Sequence, residues 1–182
     1  MNLPNKITML RILLIPFFVF FMLTDQIPYS RYIAVSIFII ASLTDTLDGY
    51  LARKYNLVSN FGKFVDPLAD KLLVCSALVC FVALPENPMP AWGVIVIISR
   101  DFIISGFRLV ASDAGVVIAA GWWGKIKTVV QMLMSVLLIV DFDGEIIDLV
   151  EYIFIYAAIL LTVISLVDYL WKNREVLNDG NM

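Results

Sequence analysis

Histidine is missing from all 182 residues of this chain, so no imidazole is available as a metal ligand or general base. Cysteine is nearly missing as well. Cys75 and Cys80 stand five apart inside an apolar run, too little for a disulfide framework or a thiolate metal centre, and are expected to be packing residues. Charge is scarce: Asp, Glu, Lys and Arg make up 16% of the chain, against 61% hydrophobic residues and a mean hydropathy of +0.90. Soluble domains sit nearer half apolar, so the composition points to an integral membrane protein. There is no internal repeat, no low-complexity tract and no stretch polar enough for a separate soluble domain. Lys6 and Arg11 ahead of the run Ile12–Leu23 have the outline of a signal peptide. No small-x-small cleavage site follows and Pro16 interrupts the run, so a retained helix is expected.

What is present is six hydrophobic segments, at approximately 8–24, 32–54, 61–84, 91–111, 124–141 and 146–171. Pro28, the stretch 56–60, Pro85 to Pro90, Gly115 to Gly121 and Asp141 to Glu145 separate them. The expectation is an all-α integral membrane bundle of six transmembrane helices forming a single domain over 1–182. Lys and Arg alternate between connections. Lys6, Arg11, Arg53, Lys54, Lys63, Lys125, Lys127, Lys172 and Arg174 fall on one side, while the other connections carry Asp25, Glu86, Asp141, Asp143 and Glu145 with Arg31 as their one cation. By the positive-inside rule both termini are cytoplasmic, in a multi-pass protein of the plasma membrane.

The uncharged cores are short. Ile12–Thr24, Tyr32–Thr44 and Thr128–Val140 are each 13 residues, or roughly 20 Å of helix at 1.5 Å per residue, where a bilayer core needs about 30 Å. The charged end is the cytoplasmic one each time, which predicts a polar cavity open to the cytoplasmic side. Lysines reaching for the interface explain Lys54 and Lys172 equally well, but aspartate is too short to do so.

Four aspartates fall within 26 residues of this apolar chain. Asp45 and Asp48 are three apart at the cytoplasmic end of the second segment, with Gly49 and Ala52 continuing their face; Gly62, Asp66 and Asp70 repeat the arrangement at intervals of four on the third. A short connection makes the two helices antiparallel neighbours. Unpaired carboxylates there would repel one another and desolvate badly, and their hard oxygens suit one or two divalent cations such as Mg²⁺. The plainer reading pairs them with Arg53, Lys54, Lys63 and Lys71 as structural ion pairs.

The eight positions Asp45-x2-Asp48-Gly49-x2-Ala52-Arg53-x8-Gly62-x3-Asp66-x3-Asp70 resemble the signature of the CDP-alcohol phosphatidyltransferases. The resemblance implies a membrane enzyme of six helices, usually a homodimer, that uses Mg²⁺ or Mn²⁺ to move a phosphatidyl group from CDP-diacylglycerol to an alcohol and releases CMP. It implies that Asp45, Asp48 and Asp66 bind metal and that Asp70 is both a further ligand and the catalytic base. It also implies that Gly49, Arg53, Ser59 and Gly62 lie against the cytidine diphosphate. The bilayer and the two substrates are the expected partners; nucleic acid is not among them.

Three further stretches bear on the acceptor. In Asn2-Leu3-Pro4-Asn5-Lys6-Ile7-Thr8-Met9-Leu10-Arg11, Pro4 suits a turn leading into a helix, and Asn5 and Thr8 either cap that helix or hydrogen-bond the nucleotide. Arg100 and Arg108 are eight apart, on similar faces of the fourth segment, although Arg100 beside Asp101 also fits a buried ion pair. Trp122 and Trp123 suit an interfacial belt, and Lys125, Lys127 and Thr128 after them suit an anion. These stretches are similar to the branch of the family whose acceptor is sn-glycerol 3-phosphate, with one departure: Leu109 follows Arg108, where that branch often has an acid. The expected reaction converts CDP-diacylglycerol and glycerol 3-phosphate to phosphatidylglycerophosphate and CMP, with Arg100, Arg108, Lys125, Lys127 and Thr128 binding the acceptor. A cardiolipin synthase, with phosphatidylglycerol as acceptor, is the alternative within the family. An ion pathway is the alternative outside it; it predicts polar residues along the whole span, where the outer halves are nearly pure hydrocarbon.

Overall fold

The computed structural model describes residues 3–24, 26–54, 60–113, 116, 118–119 and 121–174; within these, the side chains of residues 3–4, 45–54, 60–64, 66–67, 70 and 113 are not described. The described elements are six helices and no strands: α1 Leu3–Leu23, α2 Ser30–Lys54, α3 Asn60–Ala83, α4 Ala91–Asp113, α5 Trp122–Val140 and α6 Glu145–Lys172. Each falls on an expected segment, and the largest shift is the start of α1. Pro4 lies inside the first helical turn and not in a turn ahead of it, because an N–H missing at that position would have had no partner anyway. Pro16 is carried within α1 without ending it, as membrane helices tolerate.

The ends follow local chemistry. Asp141 closes α5 in a left-handed conformation, φ 54°, its N–H bonding Leu137 O at 3.0 Å. Gly144 precedes α6 at φ 151°, a backbone angle a side chain would strain. Arg31, the one cation of the acidic connections, lies 3.4 Å from Asp141 and so brings no unpaired positive charge to that side.

The chain divides into two compact units, Met1–Asn87 with Ser135–Phe142, and Pro88–Met134 with Asp143–Met182. In the first, α1 packs along both α2 and α3. Phe18 and Phe38 meet at its centre with ring centroids 5.8 Å apart, and Met22, Ala34, Ala41, Ala77 and Phe81 are buried around them. The same helix buries a polar set towards its start: Asn5, Thr8 and Arg11 are 6%, 0% and 1% exposed, and none is without a partner.

In the second unit α4 packs on α6. The backbones approach closely at Gly93, where a Cβ would stand 2.6 Å from Ile159 Cδ1, the use of a small residue typical of helix pairs in lipid. Helix α6 is ordered inside-out. Ala158, Thr162, Ser165 and Tyr169 are buried, whereas Ile146, Leu149, Ile153, Leu160, Val167 and Trp171 are exposed. Such an apolar stripe on a polar-cored helix belongs against lipid. Three helices are long and apolar enough to cross a membrane, Asn5–Leu23, Trp122–Val140 and Glu145–Lys172, and Ser30–Thr44 and Lys71–Ala83 are shorter apolar stretches. This is a helical membrane protein.

Candidate active site

Of the residues singled out for metal and nucleotide, Asp45, Asp48, Gly49 and Arg53 fall in α2 and Gly62, Asp66 and Asp70 in α3, but outside the residues whose side chains are described. Ser59 lies outside the described residues altogether. Their helical placement is the arrangement the spacing predicted: two carboxylates three apart near the end of α2 and two four apart near the start of α3. Among the residues whose side chains are described, no three carboxylates or thiols gather as a metal site.

Helix α1 packs against both aspartate-bearing helices and contributes the buried Asn5, Thr8 and Arg11. Since α1 begins at Leu3, Asn5 and Thr8 stand inside the helix. Helix capping therefore does not account for them. Both face the interior of the unit, together with a guanidinium that a bilayer protein does not bury without a compensating charge or hydrogen bonds. Arg11 entered the sequence reading as a charge and as the end of the Asn2–Arg11 stretch, with no site role of its own; its position three after Thr8, on the same face, is the signal that marks it.

The acceptor candidates lie in the other unit, where α4, α5 and α6 bring a subset together. Lys127, 2% exposed, donates to both carboxylate oxygens of Asp101, at 2.7 and 2.8 Å. Arg100 Nη1 donates to Asp101 Oδ1 at 3.0 Å and its Nε to Ser165 Oγ at 3.0 Å. Ser165 in turn donates to Thr162 O at 3.0 Å, and Thr162 to Ala158 O at 2.6 Å. Gly124 makes room for this: a Cβ there would stand 3.0 Å from Arg100 Nη2. Two cations share one carboxylate, so the three side chains together carry one net positive charge. Charges held this close in a low dielectric interact far more strongly than at a surface. Chemically the cluster is a pre-assembled cationic site with its geometry fixed by Asp101.

Arg108 sits apart from that cluster, its guanidinium carbon 5.6 Å from the centre of the Tyr169 ring. Lys125 is exposed and has no ion pair among the described residues. Thr128 is exposed, and its hydroxyl donates to Gly124 O at 3.0 Å within its own helix. The lysine-threonine stretch thus splits: Lys127 turns inward, Lys125 and Thr128 outward. Helix α6, which drew no attention in the sequence, supplies Ser165 and Tyr169 to the two arginines of α4. Tyr169 also borders a cavity of about 290 Å³ with Ile118, Gly121, Asp168, Lys172 and Asn173, where Lys172 and Asp168 pair at 2.8 Å.

Comparison with known proteins agrees with these features. A model of the CDP-alcohol phosphatidyltransferase family matches residues 1–164. A Bacillus subtilis protein named CDP-diacylglycerol–glycerol-3-phosphate 3-phosphatidyltransferase is 47% identical, with 99% of each chain aligned. A Haemophilus influenzae protein of the same name is 40% identical over 98% of this chain and 97% of its own. A probable phosphatidylglycerophosphate synthase of Mycobacterium tuberculosis is 39% identical over 92% of this chain and 79% of its own. The aspartate pattern of α2 and α3 thus sits inside a likeness that runs nearly end to end, and the chain belongs to the CDP-alcohol phosphatidyltransferase family.

Proposed function

We propose that this protein transfers the phosphatidyl group of CDP-diacylglycerol to sn-glycerol 3-phosphate, giving phosphatidylglycerophosphate and CMP. The observation that carries the choice of acceptor is the part-buried Arg100–Asp101–Lys127 cluster with its net positive charge. A phosphorylated alcohol needs cations of its own, whereas a neutral alcohol does not. Relatives named for this reaction align over nearly their whole length, which supports the same reading.

The donor set of Asp45, Asp48, Asp66 and Asp70 consists of hard carboxylate oxygens, with no histidine in the chain to compete, and this chemistry fits Mg²⁺ or Mn²⁺. Bound there, the metal supplies positive charge to a diphosphate whose phosphoryl oxygens gain charge during transfer. The chain does the rest. Asp70 takes the proton from the attacking hydroxyl of glycerol 3-phosphate, and a carboxylate must serve because no imidazole exists. The hydroxyl oxygen forms its bond to the lipid-bearing β-phosphorus as the bond from that phosphorus to the CMP oxygen breaks. CMP leaves with the electron pair. Asn5, Thr8, Gly49, Arg53, Ser59 and Gly62 hold the cytidine diphosphate, and Arg100 and Lys127 orient the acceptor. Six spans with both termini in the cytoplasm, a cavity open to that side of the plasma membrane, and a homodimer complete the proposal.

Purified protein given CDP-diacylglycerol, Mg²⁺ or Mn²⁺ and one acceptor at a time tests it. Phosphatidylglycerophosphate and CMP should form with glycerol 3-phosphate, and chelation should stop the reaction. Product with phosphatidylglycerol in place of glycerol 3-phosphate would make the protein a cardiolipin synthase.

A further inference from the structure

Two buried polar groups in the α4–α6 unit have no hydrogen-bond partner among the described residues, Arg108 Nε and the Tyr169 hydroxyl. Tyr169 is only 5% exposed. They belong to side chains that already touch. The Arg108 guanidinium lies 5.6 Å from the Tyr169 ring centre, within the range of a cation–π contact. Phe107 meets the same ring edge-on, with centroids 5.7 Å apart and planes at 83°.

The contrast with Arg100 is informative, because both arginines lie on α4 and both meet α6. Arg100 has a partner at its Nε in Ser165 and at its Nη1 in Asp101. Arg108, eight residues on, meets Tyr169, four residues beyond Ser165, through the ring alone, and no carboxylate pairs with it among the described residues. A buried donor left unsatisfied is costly, so two in adjoining side chains mark a place whose bonding something else completes. An N–H on a cation beside an O–H is the donor pair a phosphate monoester accepts from.

We propose that Tyr169 sets specificity for the phosphorylated acceptor: its ring holds the Arg108 guanidinium, and its hydroxyl and Arg108 Nε are kept for the acceptor's phosphate. This rests on the glycerol 3-phosphate reading above. Tyr169 is then in part a positioning residue, acting through Arg108, and that role separates it from ordinary packing.

Steady-state kinetics of Tyr169→Phe, Tyr169→Leu, Arg108→Gln and the Arg108→Gln/Tyr169→Leu pair test this. Tyr169→Phe keeps the ring and removes only the hydroxyl. It should raise KM for glycerol 3-phosphate about 5–10-fold, leaving KM for CDP-diacylglycerol and the thermal midpoint where they were. Tyr169→Leu should raise it further, by about 30-fold in all. The double variant should be worse than Arg108→Gln only by the share of the lost hydroxyl, about 5–10-fold, because the ring acts through that arginine. A wild-type acceptor KM in Tyr169→Phe overturns the proposal, as does a double-variant loss equal to the full product of the Tyr169→Leu and Arg108→Gln losses, or a matching change in KM for CDP-diacylglycerol. Should Tyr169→Leu fail to fold, Tyr169→Phe decides alone. If the wild-type enzyme makes no phosphatidylglycerophosphate from glycerol 3-phosphate, the acceptor reading itself falls. If it does and Tyr169→Phe is unaltered, only the role of Tyr169 falls.

Discussion

Two regions of this chain concentrate charge, and they differ in its sign and in what balances it. On α2 and α3, Asp45, Asp48, Asp66 and Asp70 bring four carboxylates into an apolar chain. On α4 and α5, Arg100 and Lys127 outnumber the single carboxylate that ties them together, and Arg108 adds a third cation with no carboxylate partner among the described residues. On the proposed reading the acidic region takes a cation from outside the chain and the basic one an anion. A transferase that joins a diphosphate lipid to a phosphate-bearing alcohol needs both kinds of site. Asp101 explains how the basic region survives without its ligand. Arg100 and Lys127 would repel each other across an apolar interior, and one carboxylate between them holds both while leaving a net positive charge.

The sharpest way to break the comparison is to neutralise one member of the acidic set. In Asp66→Asn the side chain keeps its size and loses its charge, so the helix should persist while the metal set loses a ligand. The expected result is a fall in turnover of about a thousandfold or more, with protein that still elutes as folded in detergent. Retained turnover would remove Asp66 from the metal set and return the plain ion-pair reading to the aspartates.

The same substitution in the basic region should act on stability first. Asp101→Asn leaves Arg100 and the 2%-exposed Lys127 beside each other without the carboxylate they share. Removing one partner from a buried ion pair typically costs about 3–5 kcal/mol, a loss that a thermal unfolding curve in detergent reads directly. Adding glycerol 3-phosphate or inorganic phosphate should recover part of it, since an anion can take the place of the lost carboxylate. A midpoint equal to wild type would show that Asp101 is not what holds these cations.

The helices were legible in the sequence because apolar runs alternate with proline, glycine and charge clusters, and the one clear shift came at Pro4, where a helix start was read as a turn. The charged residues were legible because charge stands out against hydrocarbon. Ser165 and Tyr169 were not, since serine and tyrosine are unremarkable in a membrane helix and their partners on α4 lie more than 60 residues away. Their signal was the spacing of Ala158, Thr162, Ser165 and Tyr169, the small or polar side of a helix whose other residues are mostly large and apolar. In a soluble protein that stripe reads as the outside; in lipid it is the inside. Asn5 and Thr8 were ambiguous for a similar reason, as a cap and a buried polar face share their residue types until the helix start is known.

The finest difference concerns two lysines two residues apart. Lys125 and Lys127 are alike in composition, but a shift of two positions turns a helix by roughly 200°, and the fold sends one out and one in. Lys125 is exposed, so its field on an approaching anion is screened by water and salt, and Lys125→Gln should raise KM for glycerol 3-phosphate threefold at most, by about 0.6 kcal/mol or less, with the effect fading at high salt. Lys127 is buried on Asp101, where screening is weak. Lys127→Gln should raise the same KM about tenfold or more, corresponding to about 1.4 kcal/mol, at any ionic strength. Equal effects from the two variants would mean that both lysines reach the acceptor, and the anion site would then have to include the exposed face of α5. A Lys125→Gln effect that vanishes at high salt would assign Lys125 to steering alone, because long-range attraction is the contribution that added ions remove.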